Sequence, residues 1–172
     1  MQPVADTAVR LYGWAKRGER CVYRVPGNGG PRRSMVGLFS LAGGIAAHRT
    51  QTGSLKAADF AGFVEQAVVP HLVTGDVVIL DNARCHQGVR VRALIEAAGA
   101  RVLFLPTYSP DFSPIELAWR KVKARLRAEG ARTEETLLPA IDAAMCSVTA
   151  QDALTFYAHC GYSLVADAAL QC

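Results

Sequence analysis

Two carboxylates, Asp81 and Glu116, stand where a side chain can serve metal or proton chemistry. Asp81 directly follows Val77–Leu80, a run of four apolar residues that predicts a strand buried on both faces. Ligands of open α/β sheets bind beyond the carboxyl ends of the strands, so Asp81 is a candidate metal ligand. The alternative is that Asp81 only opens a turn, because the Asp-Asn pair is good turn chemistry.

Glu116 stands at the start of a predicted helix. Ser113 is expected at the N-cap and Pro114 at the first helical position, where proline is favoured. A glutamate three residues after an N-cap serine completes a capping box, and this interpretation requires no chemical function. The alternative is a second metal ligand that the same helix start presents.

The predicted helix also carries a basic face. Its core-facing stripe of apolar residues consists of Ile115, Trp119, Val122 and Leu126. Beside this stripe, Glu116 is followed at helical spacing by three cations, namely Arg120, Lys123 and Arg127. A carboxylate ahead of a cationic track suits a metal site with a polyanionic substrate, so these cations are candidate phosphate contacts. A solvated face stabilised by charge pairs is the alternative.

Three ring side chains near the carboxylates are further candidates. His86 could orient a carboxylate, contact a phosphate, or serve as a structural histidine. Tyr108 and Phe112 belong to the loop that joins the two carboxylate elements. They could stack on nucleic-acid bases, as aromatic platforms do without sequence preference, or anchor the loop on the core.

The acidic pair suits magnesium better than zinc. Two carboxylates can hold a pair of divalent ions that clamps the attacking and leaving oxygens of a phosphodiester. Magnesium prefers carboxylate and water oxygens, and the sequence has no cluster of cysteine and histidine that would select zinc. The five cysteines are scattered and odd in number, which indicates free thiols.

The elements that must position these residues alternate between strands and helices. A hairpin is expected from Ser34–Leu41 and Ile45–Arg49, because Gly43 and Gly44 supply the turn between them. The predicted elements after the hairpin are a helix at 55–69, a strand at 75–81, a helix at 89–98, a strand at 101–105 and helices at 114–129, 133–147 and 152–159. This order predicts an α/β layer fold with a mixed sheet.

The composition is that of a globular domain. The chain has 172 residues, of which 51% are hydrophobic and 20% charged, and its net charge is +4. These values exclude a disordered chain and predict one domain over residues 1–172. No apolar run reaches the roughly 18–20 residues of a membrane span, and the first residues lack a signal-peptide pattern. Neither a Gly-rich nucleotide loop before a helix nor a Gly-x-Ser-x-Gly elbow occurs.

Two segments carry a resemblance to a known family. Leu80-Asp-Asn-Ala-Arg-Cys-His86 and Leu105-Pro-Thr-Tyr-Ser-Pro-Asp-Phe-Ser-Pro-Ile-Glu-Leu-Ala-Trp119 resemble the DDE transposases of bacterial insertion sequences in the mariner superfamily. The 34 residues between Asp81 and Glu116 are a spacing typical of that family. The resemblance extends almost over the whole chain through Leu11–Glu19, Thr149–Asp152 and His159–Tyr162.

The resemblance implies a ribonuclease H-like fold, two magnesium or manganese ions, and a triad of Asp, Asp and Glu. Asp81 matches the second Asp and Glu116 the Glu, and both would bind the ions that activate water or a DNA 3′-hydroxyl for attack on phosphodiesters. The implied partners are DNA, as transposon ends and target, and a second copy of the chain or a full-length transposase. The implied location is the bacterial cytoplasm at the nucleoid, with no membrane.

When the sequence is compared with the family pattern, we find no residue that matches the first Asp of the triad. Asp6 is the sole acidic residue ahead of Tyr12, and it lies too close to Tyr12 to match the family pattern. We therefore expect an N-terminally truncated domain that lacks the first, central strand of its sheet and the helix-turn-helix segment of the family. Two functions follow: an impaired transposase catalytic domain, or an inactive relative that only binds DNA or a full-length transposase.

Overall fold

The computed structural model describes residues 2–4, 13–22, 32–131 and 133–163. Five strands lie in these ranges: β1 (Gln2–Val4), β2 (Arg33–Ser40), β3 (Gly44–Thr52), β4 (Val77–Leu80) and β5 (Arg101–Phe104). Five α-helices accompany them: α1 (Ala57–Phe63), α2 (Val89–Ala97), α3 (Pro114–Glu129), α4 (Glu134–Cys146) and α5 (Ala150–His159). The helix α1 continues through a π-helical turn at Val64–Val68 into a 3₁₀ turn at Val69–His71, and another 3₁₀ turn spans Pro110–Phe112.

The strands form two separate sheets in the described part of the chain. β1, β2 and β3 form an antiparallel sheet with β2 at its centre, and β4 pairs with β5 in parallel. The sequence predicted one mixed sheet without its first strand. In the described residues, a strand of three residues, β1, pairs with Arg33–Met35, and no ladder joins β4 to the antiparallel sheet.

β2 is packed between two hydrophobic cores. Met35 and Phe39 belong to the core formed with α3, α4 and α5, whereas Val36 belongs to the core formed with α1 and α2. Successive side chains of a strand point to opposite faces, so one strand can serve both cores. Helices therefore cover the antiparallel sheet on both sides, and the fold has three layers.

The predicted elements are present, with one difference in burial. The hairpin, the two later strands and all predicted helices lie within a few residues of their expected bounds. β4 was expected to be buried on both faces, but Val77 is 43% exposed and the other three residues are only partly buried. The reason is that, within the described residues, β4 pairs only with β5 and all four of its residues line a cavity.

The cysteines agree with the expectation of free thiols. Cys21, Cys85, Cys146 and Cys160 form no disulfide. Cys172 and Asp6 lie outside the described residues. Within the ranges that are described, no helix is both long enough and apolar enough to cross a membrane.

A helix cap and an ion pair connect α5 to α3. The Asp152 carboxylate accepts hydrogen bonds from the amide and the hydroxyl of Thr149, at 2.8 and 3.0 Å, and completes a capping box at the start of α5. The same carboxylate pairs with Lys121 Nζ of α3 at 2.5 Å. The Lys121 contact, and after it the Thr149 hydrogen bonds, lower the pKa of Asp152.

We expect Asp152→Asn to lower the free energy of unfolding at pH 7 by about 1 kcal/mol, the usual contribution of a helix cap. Because the folded-state pKa of Asp152 is lowered, its stabilisation is present above about pH 4 and is lost as the pH falls through the folded-state value. Urea unfolding at pH 7 and pH 3 measures this difference. Glu129→Gln, at an exposed position, is the control. If Asp152→Asn lowers the free energy of unfolding by the same amount at pH 7 and pH 3, the stabilising role of the ionised Asp152 carboxylate is contradicted.

Candidate active site

Asp81 lies at the carboxyl end of β4, as the sequence predicts, and its side chain is 47% exposed. Its Oδ1 atom accepts a hydrogen bond from the Ala83 amide at 2.9 Å. Asp81 therefore does open a turn, which was the alternative to a ligand role. The two roles are compatible, because no hydrogen bond or ion pair from another described residue engages Oδ2.

His86 holds the Asp81 carboxylate from the protein interior. Its side chain is 8% exposed, its Nδ1 lies 2.6 Å from Asp81 Oδ1, and its ring packs on Phe60 with 4.1 Å between centroids. This is ion-pair distance, although neither ring nitrogen makes a well-aligned hydrogen bond within the described residues. Such burial favours the carboxylate-orienting role among those considered for His86.

The environment of Asp81 keeps its carboxylate charged. The contact with His86 is the largest influence, and the Ala83 hydrogen bond acts in the same direction. Together they lower the pKa of Asp81 to about 2, although partial burial opposes them. Asp81 is therefore ionised at neutral pH, and a carboxylate must be ionised to bind a metal ion.

Glu116 lies in the first turn of α3 and is half-buried. The helix begins at Pro114 with Ser113 at the N-cap, as predicted, and the Glu116 amide donates to Ser113 O at 3.0 Å. The Ser113 side chain, however, accepts no cap hydrogen bond, so the predicted capping box is wrong. A structural cap therefore does not account for a glutamate at this position.

Both carboxylates line one cavity of about 750 Å³. It lies between β2 and β4, and its lining includes Asp81, His86, Ser113 and Glu116. The volume falls within the roughly 300–1,000 Å³ of ligand sites in proteins. Side chains from the end of a strand and the start of a helix thus share a concave surface, which only folding could create.

The donor atoms of this surface fit magnesium or manganese. Asp81 and Glu116 offer hard carboxylate oxygens, and magnesium is commonly bound by one or two carboxylates while it keeps several waters. Among the described residues, no group of three or more His, Cys, Asp and Glu side chains could hold a metal ion. Asp76, at the opposite end of β4 from Asp81, also lines the cavity. The end of β4 and the start of α3 therefore offer two candidate ligands, one fewer than the triad that the family resemblance implies.

The loop between the carboxylates presents aromatic rings to solvent. Tyr108 is 97% exposed and has a φ of 58°, a left-handed conformation that is uncommon outside glycine. Phe112 is about half exposed, and its carbonyl accepts a hydrogen bond from Tyr162 Oη at 2.7 Å. The core-anchor alternative is therefore wrong for Tyr108, whose ring is accessible to a stacking partner.

The three candidate cations lie on the same helix as Glu116. Arg120 is exposed, whereas Lys123 and Arg127 are partly buried. Arg127 Nε donates to the Lys123 carbonyl at 3.2 Å, which directs that side chain along the helix. The α3 surface therefore combines a carboxylate at its start with positive charge along its length.

Two residues that the sequence did not single out support the site. Asn82 Nδ2 donates to the Leu105 carbonyl and so ties the end of β4 to the end of β5. Phe60 of α1 supplies the surface on which His86 packs. Asn82 could have been noticed as the neighbour of Asp81, but nothing local in the sequence links Phe60 to His86.

A family model described as DDE superfamily endonuclease matches residues 2–138 of the chain. A comparison with curated proteins finds no match. The family match covers β1 through the first part of α4, including both candidate ligands.

Solved structures of a transposase share this fold. The Mos1 transposase paired-end complex with the left transposon end matches with a TM-score of 0.70 and 15% identity, over 93% of this chain and 49% of that chain. The Mos1 mariner paired-end complex with Mn matches with a TM-score of 0.61 and 15% identity, over 93% of this chain and 50% of that chain. The Mos1 catalytic domain with raltegravir and Mg matches with a TM-score of 0.54 and 16% identity, over 76% of this chain and 72% of that chain.

The chain thus spans about half the length of the first structure that it matches. At this level of identity the likeness shows a common fold, and it agrees with the ribonuclease H-like α/β fold expected from the sequence. The roles of individual residues do not follow from it.

We expect His86→Leu to raise the pKa of Asp81 from about 2 toward the ordinary value of about 3.9, because His86 is the largest cause of the lowering. A carboxyl ¹³C NMR titration measures this pKa. His48→Leu is the matched control, since His48 lies near Asp142, at 3.7 Å, and not near Asp81. An unchanged Asp81 pKa in His86→Leu would refute the assigned contact.

Proposed function

Because the chain belongs to the DDE superfamily endonucleases, whose model matches residues 2–138, we propose that it is the catalytic part of a DNA transposase. In this proposal it cleaves and joins DNA strands with divalent ions at Asp81 and Glu116. The observation that carries the proposal is that these two carboxylates, from different elements, line one cavity, and that a buried histidine contacts Asp81 Oδ1 at 2.6 Å.

Each residue of the site has a role in this proposal. Asp81 would hold the metal ion, while His86 and the Ala83 amide hold its Oδ1 in place. Glu116 is the second ligand, and the first turn of α3 sets its position. When bound, Mg²⁺ or Mn²⁺ supplies the Lewis acid that favours attack of water or a DNA 3′-hydroxyl on a phosphodiester.

DNA is the proposed partner of the surface around the site. The matched Mos1 structures contain a transposon end, Mn or Mg, which supports DNA and a divalent ion as ligands of this chain. Tyr108 is accessible for base stacking, and Arg120, Lys123 and Arg127 are the proposed phosphate contacts on α3. Transposon ends and target DNA of a bacterial insertion sequence are the proposed substrates.

A second candidate function is DNA binding without catalysis. It is favoured by the finding that no group of three or more His, Cys, Asp and Glu side chains among the described residues could hold a metal ion. Loss of one ligand from a two-metal site removes charge that holds both ions, so this chain alone would cut DNA poorly. Its role would then be to bind DNA or to associate with a full-length transposase.

We expect Asp81→Asn and Glu116→Gln each to weaken Mn²⁺ binding by at least about tenfold, because each removes a charged oxygen ligand of similar shape. Titration calorimetry with Mn²⁺ on the purified chain, in the presence of duplex DNA, measures the affinity. Asp142→Asn is the matched control, because Asp142 is an exposed carboxylate of α4 that does not line the cavity. Equal Mn²⁺ affinity in all four proteins would exclude the proposed site.

A nicking assay on supercoiled DNA separates the two candidate functions. Mn²⁺-dependent nicking that Asp81→Asn abolishes identifies a catalytic domain. No nicking, together with retained DNA binding, identifies the binding function.

We expect the double variant Arg120→Gln, Arg127→Gln to bind DNA with a shallower salt dependence. Each lost phosphate contact reduces the slope of log K against log salt concentration by about 0.9, hence by about 1.8 for both. Fluorescence anisotropy over a salt series measures the slope. The control is Arg90→Gln, Arg92→Gln, which removes the same charge from α2, where both arginines pair with glutamates. An equal change of slope in both double variants would show that α3 is not the DNA surface.

A further inference from the structure

The start of α3, which carries Glu116 in its first turn, is not held by a side-chain cap. Ser113 occupies the N-cap, but its side chain accepts no cap hydrogen bond. An N-cap side chain usually satisfies one of the free amides in the first turn and so stabilises the helix start. The chain that enters α3 therefore lacks the side-chain contact that usually fixes the beginning of a helix.

The Tyr162 hydroxyl instead holds the residue directly ahead of this N-cap. Tyr162 Oη donates to the Phe112 carbonyl at 2.7 Å, from a position 50 residues further along the chain. Phe112 is the last residue of the 3₁₀ turn that begins at Pro110. The Ser113 amide donates to the Pro110 carbonyl at 2.9 Å, which connects this turn to the N-cap. The hydrogen bond from Tyr162 therefore acts on the turn that leads into α3.

The C-terminal end of α5 fixes the backbone of Tyr162. The Tyr162 amide donates to the Tyr157 carbonyl at 3.1 Å. The Gly161 amide donates to the Ala158 carbonyl at 3.0 Å. These are the two hydrogen bonds of a Schellman motif, in which a left-handed residue follows the helix. Gly161 is that residue, with a φ of 83° that glycine adopts without steric cost. The helix end thus sets the direction from which Tyr162 reaches Phe112.

A row of aromatic rings also connects Tyr162 to the antiparallel sheet. The Tyr162 ring meets Tyr157 edge-on with 5.5 Å between centroids, and Tyr157 stacks on Phe39 of β2 at 5.6 Å. The Tyr157 hydroxyl donates to the Phe39 carbonyl at 3.2 Å. Aromatic pairs of this kind add to the stability gained by burial. Tyr162 is therefore held relative to β2, whose residues line the cavity of the candidate site.

We propose that Tyr162 is a positioning residue of the candidate site, which fixes the start of α3 and thereby the placement of Glu116. The proposal rests on the proposed function only for the role of Glu116 as a metal ligand. Residues that orient metal ligands typically contribute about 10- to 100-fold to metal affinity. The proposal also gives a role to His159–Tyr162, a segment that the sequence singled out and the proposed function does not use.

Amide hydrogen exchange tests the effect on α3 without a metal ion. We expect Tyr162→Phe, which removes only the hydroxyl, to speed exchange of the Phe112, Ser113 and Glu116 amides about fivefold, the factor that corresponds to the loss of one ordinary hydrogen bond. The matched control is Tyr157→Phe, which removes a hydroxyl that bonds to β2. Exchange in α2 reports any general loss of stability. Equal exchange of the three amides in both variants overturns the proposal.

A double-mutant cycle tests the effect on Glu116. We expect Tyr162→Phe to weaken Mn²⁺ binding about tenfold in the native chain and in Asp142→Asn, but not further in Glu116→Gln, where the positioned ligand is already lost. Titration calorimetry in the presence of duplex DNA measures the four affinities of the cycle and those of the control background. Provided that Glu116→Gln itself weakens binding, an equal effect of Tyr162→Phe in the native and Glu116→Gln backgrounds, or none in either, overturns the proposal.

The two measurements separate this proposal from the proposed function. If Glu116→Gln binds Mn²⁺ as tightly as the native chain, the proposed function fails, and the exchange measurement alone decides whether Tyr162 fixes the start of α3.

Discussion

The packing of Trp119 against Gly37 is the contact on which the candidate site depends. A β-carbon at position 37 would lie 3.3 Å from the Trp119 ring, which is tighter than ordinary contact, and Trp119 is 2% exposed. Trp119 follows Glu116 by three residues, so both lie on one side of α3. The absence of a side chain at position 37 leaves room for the Trp119 ring on β2, and Glu116, on the same side of α3, lines the cavity that Asp81 also lines.

Asp81, the other carboxylate of the candidate site, is held by a histidine and not by helix packing. His86 is buried against Phe60 and contacts Asp81, yet its two ring nitrogens have no well-aligned hydrogen bond in the described residues. Buried polar atoms without partners reduce stability, and in native proteins they call for an explanation such as a functional role. Here the imidazole holds Oδ1 of a half-exposed carboxylate and lowers its pKa, so the carboxylate stays ionised to a lower pH.

The layering around β2 explains why the two sheets remain positioned without a common ladder. One core joins β2 to α3, α4 and α5, and the other joins it to α1 and α2, which also pack against β4 and β5. Apolar burial is not directional, so it can hold the two sheets at a distance from each other. Hydrogen bonding is directional, and no ladder joins the two sheets within the described residues.

Local patterns in the sequence predicted most of the helices and strands and identified the two carboxylates as candidate ligands. The stripe of α3 repeats within 12 residues, and Asp81 follows its strand directly, so both were readable from neighbours in the chain. Tertiary structure alone decided that His86 turns toward Asp81, that Tyr108 stays in solvent, that β4 is partly exposed and that the sheet is divided. These outcomes depend on contacts between distant residues, such as Phe60 with His86, and on burial, which no single segment encodes because it is a property of the whole packed chain.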